Sequence, residues 1–262
     1  KQAIIPLAGL GTRLLPLTSV FAKELLPING KPGIEFIIDE CVDAGIKEII
    51  FIISKKKMMI KDYFYNDKFY KKIIKKKKDP RIIMEYKKIL KYRKMIKFVY
   101  QNKPLGTGDA VLKTKNYIKS KFFLMLLPDD LIIKQNCSKS MINIHKRFKA
   151  SVMASMSVKK KDVSRWGIYK LTKKLDKKNS LIKSVIEKPK VNKAPSNKAV
   201  IGRYILPQKI FSKLLKQKPG KSGEIHITDA IQSLINENNK FIAHTFSGKY
   251  LDCGSMKGYI KS

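Results

Sequence analysis

The chain opens on a short apolar stretch, residues 2–8 (Gln-Ala-Ile-Ile-Pro-Leu-Ala), that runs into a glycine loop at Gly9-Leu10-Gly11. An apolar run of this length bounded by a turn signal reads as a strand. Residues 34–44 place Ile34, Ile37, Ile38, Cys41 and Val42 at helical spacing, and Gly45 is a good stop. Residues 48–54 are continuously apolar, as in a strand buried on both faces. Strand, loop, helix and strand make one βαβ unit. Such a unit implies a parallel sheet with a right-handed crossover.

Residues 58–95 are lysine-rich and loosely periodic, which predicts exposed helix. Strands are expected over 96–101, 122–128, 151–158, 167–171, 182–187, 200–206 and 241–246, with a further candidate segment at 250–254. Helices are expected over 108–120, 140–148, 209–216 and 229–238, the last N-capped by Thr228. Strands alternate with helices early and become denser after residue 150. The fold class expected is α/β, a Rossmann-like mixed and mainly parallel sheet flanked by helices. No repeat or linker divides the chain, so residues 1–262 read as one domain. Ligands in such folds bind beyond the carboxyl ends of the strands.

The formal net charge of +37 raises nucleic-acid binding as a reading. Two features favour a solvated surface instead. Arg supplies only six of the 57 basic residues, although Arg is the usual fork for base edges and phosphates. The lysines are also dispersed, at 55–57, 75–78, 87–88 and 159–161. Such a charge can still steer anionic small substrates. No apolar run approaches the roughly 20 residues of a membrane helix, and the start carries no secretion signal. Cys41, Cys137 and Cys253 lack metal or redox spacing, and His145, His226 and His244 suggest no ligand pair or triad. A cytoplasmic protein with reduced thiols, and no membrane partner, is expected.

Glycines after a strand let the backbone approach a phosphate and aim N–H groups at it. In Gly9-Leu10-Gly11-Thr12-Arg13 the dinucleotide pattern fails, because Leu14 stands where its third glycine belongs. The Walker pattern fails too. Gly220-Lys221-Ser222 looks like its tail, but Leu215 occupies the required earlier glycine. What distinguishes the loop is Arg13, followed by Lys23-Glu24-Leu25-Leu26-Pro27.

Leu7-Ala8-Gly9-Leu10-Gly11-Thr12-Arg13-Leu14-Leu15-Pro16 with Lys23-Glu24-Leu25-Leu26-Pro27 resembles the nucleotide-binding signature of sugar-1-phosphate nucleotidyltransferases. Glu40-Cys41, Ala44-Gly45-Ile46, and Ser196-Asn197 leading to Gly202-Arg203-Tyr204 are similar to the bacterial UTP–glucose-1-phosphate uridylyltransferase branch. The match spans residues 4–259 and is poorest over 55–95. It implies the nucleotide-diphospho-sugar transferase fold, with residues 1–150 mainly nucleotide-binding and 151–262 mainly sugar-phosphate-binding.

The resemblance also implies roles. Ala8, Gly9, Gly11 and Thr12 cradle the nucleotide, and Arg13 and Lys23 contact its phosphates. Gln101 and Gly106 take the uracil. A side-chain amide offers both donor and acceptor, which suits a pyrimidine edge. Asp109 departs from the His more usual in Gly-Leu-Gly-His-Ala. Asp129, at the end of the most apolar strand, and Asp252 pair on Mg²⁺, with Asp130 behind them. A carboxylate at a strand end suits that ion. Gly167 and Glu187 hold the sugar and Lys188 its phosphate. Residues 224–229 are read mainly as capping and support.

The implied reaction joins UTP and glucose 1-phosphate to give UDP-glucose and pyrophosphate, with Arg13, Lys23, Asp129 and Lys188 as the catalytic set. A homo-oligomer is left open. The rival readings are another nucleotidyltransferase such as a thymidylyltransferase, a non-catalytic regulatory paralogue, and a basic nucleic-acid-binding protein.

Overall fold

The computed structural model describes residues 1–220 and 223–262. Lys221 and Ser222, the end of the Walker-like tail, lie outside the described residues. The strands and helices follow in chain order as β1 (Gln2–Pro6), β2 (Pro27–Ile28), β3 (Lys31–Pro32), α1 (Gly33–Asp43), β4 (Glu48–Ile53), α2 (Met58–Tyr65), α3 (Lys68–Lys77), α4 (Pro80–Arg93), β5 (Ile96–Tyr100), α5 (Gly106–Leu112), β6 (Phe122–Leu126), β7 (Asp130–Ile133) and α6 (Cys137–Phe148). The second part continues with β8 (Ser151–Ser157), β9 (Gly167–Lys174), β10 (Asn179–Glu187), β11 (Lys198–Pro207), α7 (Ile210–Lys216), α8 (Ile227–Asn236), β12 (Phe241–Thr245), β13 (Lys249–Asp252) and α9 (Met256–Tyr259).

One nine-stranded sheet runs β5-β4-β1-β6-β11-β8-β12-β10-β9 and takes strands from both parts of the chain. β5, β4, β1 and β6 are mutually parallel. From β11 onward antiparallel pairs dominate, with β8 and β12 the parallel exception. The sheet is therefore mixed, and its parallel half holds the early βαβ unit. The antiparallel half follows from short connections, such as that from β9 to β10, which only a hairpin can use.

Alternation along the central strands sorts the core into two layers. Ala3 and Ile5 of β1, Ile49, Phe51 and Ile53 of β4, and Leu124 and Leu126 of β6 join α1, α2, α4 and α6 on one face. Ile4, Ile50, Ile52, Phe123 and Met125 face α5, α7 and α8 on the other. Continuous apolar runs in the sequence are thus strands covered on both sides.

The lysine-rich stretch resolves into α2, α3 and α4. Asp79 caps α4 by accepting from the Arg81 N–H, with Pro80 in the first turn. Ile60, Phe64, Ile89 and Tyr92 are buried in the first layer, whereas α3 buries none of its residues. The helix expected over 108–120 ends at Leu112. Beyond it Thr114 Oγ1 donates to the Val111 carbonyl and the chain proceeds through turns. The cap expected at Thr228 is corrected: α8 begins at Ile227 with His226 in the cap position. The Ile227 N–H points instead to Thr107 Oγ1, a partner from another loop. Among the described residues no helix is long and apolar enough to cross a membrane.

Candidate active site

The parallel strands β4, β1 and β6 fan in opposite senses from β1, and a crevice forms where the strand order reverses. The chain leaves β1 with the Leu7 N–H still bonded to the Ile52 carbonyl, then turns away through the glycine loop. Gly11 adopts φ 70°, and Thr18 Oγ1 donates to its carbonyl at 2.8 Å, closing the loop. The loop lines a cavity of about 420 Å³. Ala8, Gly9, Gly11, Thr12, Lys23, Gln101 and Gly106 all border it, together with Glu224 and His226. The nucleotide set expected from the resemblance is therefore gathered around one space.

Gln101 stands at the carboxyl end of β5, its N–H bonded to the Ile53 carbonyl. Its Nε2 donates to the Gly106 carbonyl at 3.0 Å and to Asp109 Oδ2 at 2.8 Å. Gly106 has φ 93°, and a Cβ there would lie 2.7 Å from the Ile225 carbonyl oxygen. Glycine is required on both counts. We expect Gly106→Ala to cost about 1–3 kcal/mol in backbone strain and to raise the KM for nucleotide at least tenfold. Thermal melts with initial-rate kinetics check this; an unchanged KM would show that the loop does not meet the nucleotide. Residues 224–226 emerge as part of this wall, since Ile225 exchanges backbone hydrogen bonds with Leu105 and Gly108. The sequence by itself points only to capping and support for residues 224–229.

A second cavity, of about 360 Å³, adjoins the first. Arg13, Gly167, Glu187, Tyr250 and Asp252 line it. Leu127 and Asp129 line both cavities, so Asp129 stands at their junction. Gly167 and Glu187 are register partners across β9 and β10. A Cβ on Gly167 would approach Glu187 Oε2 to 3.0 Å. Lys188 follows at φ 43° with its N–H bonded to the Trp166 carbonyl. Its side chain is exposed and does not line the cavity.

Charges at the junction are tightly arranged. Lys23 Nζ lies 2.7 Å and Arg13 Nη2 3.6 Å from Asp129 Oδ2. Burial opposes the charge on Lys23, but Asp129 and Glu24 outweigh it and hold the ammonium above the usual lysine range. Burial likewise opposes the charge on Asp129, and Lys23 with Arg13 pulls the carboxyl below its usual range. Burial, reinforced by the Asp129 charge, pushes Asp130 up to about 6. Two adjacent carboxyls are thus shifted in opposite directions, a pattern common at functional sites.

Asp252 is the register partner of Asp130 in the ribbon of β7 and β13, and the Cys253 N–H donates to the Asp129 carbonyl at 2.8 Å. The Asp252 carboxylate is oriented by the Gly254 N–H and Ser255 Oγ. Two carboxylates on one cavity are suitable oxygen donors for a hard cation. Among the described residues no group of three or more His, Cys, Asp or Glu side chains forms a cage.

Several residues without an assigned role in the sequence hold this geometry. Arg203 is fully buried and pairs with Glu40 through Nε and Nη2 at 2.9–3.1 Å. Its Nη1 donates to the Leu127 and Gly202 carbonyls. Asp130 accepts from the Gly202 N–H and from the Tyr250 hydroxyl. Lys57 forms a buried pair with Glu24 at 2.8 Å, directly beside Lys23. Burial pulls the Lys57 ammonium below its usual range despite Glu24. Alternation gave one signal: Arg203 shares a strand face with the buried Ile201 and Ile205.

The nucleotidyl transferase family matches residues 2–262. A UTP–glucose-1-phosphate uridylyltransferase 2 of Streptococcus pyogenes serotype M3 is 38% identical, with 100% of this chain and 88% of that protein covered. A putative UTP–glucose-1-phosphate uridylyltransferase of Methanocaldococcus jannaschii is 36% identical, covering 100% and 91%. Among solved structures, a UDP-glucose pyrophosphorylase complexed with UDP-glucose superposes with TM-score 0.86 at 35% identity over 100% of this chain and 96% of its own. A UTP-bound enzyme of the same kind from Acinetobacter baumannii gives TM-score 0.89 at 34% identity, covering 100% and 91%. The chain belongs to the nucleotidyl transferase family, with UTP–glucose-1-phosphate uridylyltransferases as its relatives.

Proposed function

We propose that the chain transfers UMP from UTP to glucose 1-phosphate, giving UDP-glucose and pyrophosphate. The observation that carries this reading is the junction at Asp129. One cavity is bordered by the glycine loop and Gln101, the other by Gly167 and Glu187, and they meet at a carboxylate flanked by two cations.

An oxygen of glucose 1-phosphate attacks the α-phosphorus of UTP in line. The new O–P bond forms as the bond to the β-phosphate oxygen breaks, and that oxygen leaves with pyrophosphate. No general base is needed, because a phosphate monoester with a second pKa of about 6 is largely dianionic near neutrality. Gln101 and Gly106 position the base, and the loop N–H groups of Ala8 to Thr12 face the phosphates. Arg13 and Lys23 stabilise the departing pyrophosphate. Glu187 and Gly167 hold the sugar, and Lys188, next to Glu187 in the chain, draws its phosphate into line. Asp129 and Asp252 would hold Mg²⁺, whose chemistry there is to neutralise and orient the α-phosphate. The three cysteines are free and buried, which fits a cytoplasmic setting.

Lys188→Ala is expected to reduce UDP-glucose formation by about 10²–10³-fold, the scale set by losing one charged positioning group. Its melting temperature should not move, because the side chain is exposed. Near-wild-type turnover would remove Lys188 from the mechanism. A matrix of nucleoside triphosphates against sugar phosphates tests the whole reading. UTP with glucose 1-phosphate should give the highest kcat/KM; preference for dTTP would point to a thymidylyltransferase.

A further inference from the structure

Asp109 replaces a residue that the resemblance expects to be His, and it is buried beneath the nucleotide cavity rather than lining it. Its Oδ2 accepts from Gln101 Nε2 at 2.8 Å, while the Gly106 carbonyl accepts from the same nitrogen at 3.0 Å. A carbonyl and a carboxylate can only accept, so the amide nitrogen must face both of them. Turning the amide over would set Oε1 against two acceptors. Both donors of Gln101 are thereby used inside the protein. Oε1 takes no donor among the described residues, on a side chain that borders the cavity.

We propose that Asp109 is a specificity-determining positioning residue: by locking the Gln101 amide it presents the nucleobase with an acceptor only. An acceptor calls for a base-edge N–H. Uracil offers one between its two carbonyls. Cytosine offers a lone pair at the same ring position and would be repelled. Sites built on a fixed hydrogen-bond pattern discriminate strongly, because the wrong partner leaves buried polar groups unpaired. Lys113 Nζ, 3.5 Å from Asp109 Oδ1, holds the carboxylate from its other oxygen. The inference rests on the proposed use of a uridine nucleotide, but not on the sugar or the transfer step.

The test is the ratio of dissociation constants for CTP and UTP, measured by titration calorimetry on wild type, Asp109→Asn, Asp109→Leu and Asp109→Glu. Wild type should favour UTP. Asp109→Asn, nearly isosteric, can donate to Gln101 Oε1 and so leaves only the Gly106 carbonyl opposing the turned amide; Asp109→Leu removes the carboxylate half of the lock. Both should lower the ratio by about tenfold, equivalent to about 1.4 kcal/mol. Asp109→Glu, still an acceptor, should keep at least half of the discrimination on a logarithmic scale. A merely structural role would weaken both nucleotides together and leave the ratio alone. An unchanged ratio in folded Asp109→Asn overturns the proposal, as does a wild type with no preference between the two. A wild type that selects UTP yet makes no UDP-glucose sinks the proposed reaction and leaves Asp109 standing.

Discussion

Asp129→Asn is expected to lower UDP-glucose formation by at least about 10³-fold, on the scale of losing a metal-holding carboxylate at the reacting centre. Asparagine keeps the side-chain shape and one acceptor oxygen for Lys23, whose Nζ now lies 2.7 Å from the carboxylate. It removes the negative charge that Lys23 and Arg13 share. The stability cost should be modest, roughly 1–3 kcal/mol for a weakened charged hydrogen bond. UTP binding should survive within about tenfold, because the base and loop contacts lie elsewhere in the cavity. Single-turnover kinetics with calorimetric UTP titration separates these effects. Turnover within about tenfold of wild type would contradict the position given to Asp129.

The second large effect concerns stability. Arg203 is fully buried inside the sheet-helix layer, where it pairs with Glu40 of α1. Ser138 of α6 also donates to Glu40, so one carboxylate ties two helices to β11. Arg203→Met would leave the Glu40 charge buried without its partner, at a cost of about 3–5 kcal/mol. In a chain of this size that is a fall in melting temperature on the order of 10 °C. The Leu127 and Gly202 carbonyls would lose their donor as well, which loosens the strand end that carries Asp129. Pairing the change with Glu40→Leu should recover much of the loss, since an apolar pair can replace a buried ion pair. Equal melting of the single and double variants would show that the charge pair is not the source of the effect.

Much of the architecture could be read before any coordinates. β1, β4 and β6 are continuous apolar runs because helices cover both of their faces, and such runs are hard to miss. The ribbon of β7 and β13 was not legible as a pair. β7 has four residues, starts on Asp130, and finds its partner more than a hundred positions away. Thr228 is not the cap because the helix starts at Ile227, which places Thr228 inside the first turn. The glycine loop, Gln101, Asp129 and Glu187 stood out through motif order. What held them did not: the Glu24–Lys57 pair and the link from Tyr250 to Asp130 depend on contacts between distant segments. Asp109 is the clearest case. In the sequence it is only a departure from the usual pattern, whereas in the fold its carboxylate accepts from Gln101, the proposed base contact.

In the proposed reaction one site joins a uridine nucleotide to a sugar phosphate. Pyrophosphate release from purified protein, with UTP, glucose 1-phosphate and Mg²⁺ together and with each omitted in turn, tests it most directly. Stoichiometric pyrophosphate and UDP-glucose are expected in the complete mixture, with background release in every omission. Release of pyrophosphate without glucose 1-phosphate, or none in the complete mixture, would contradict it.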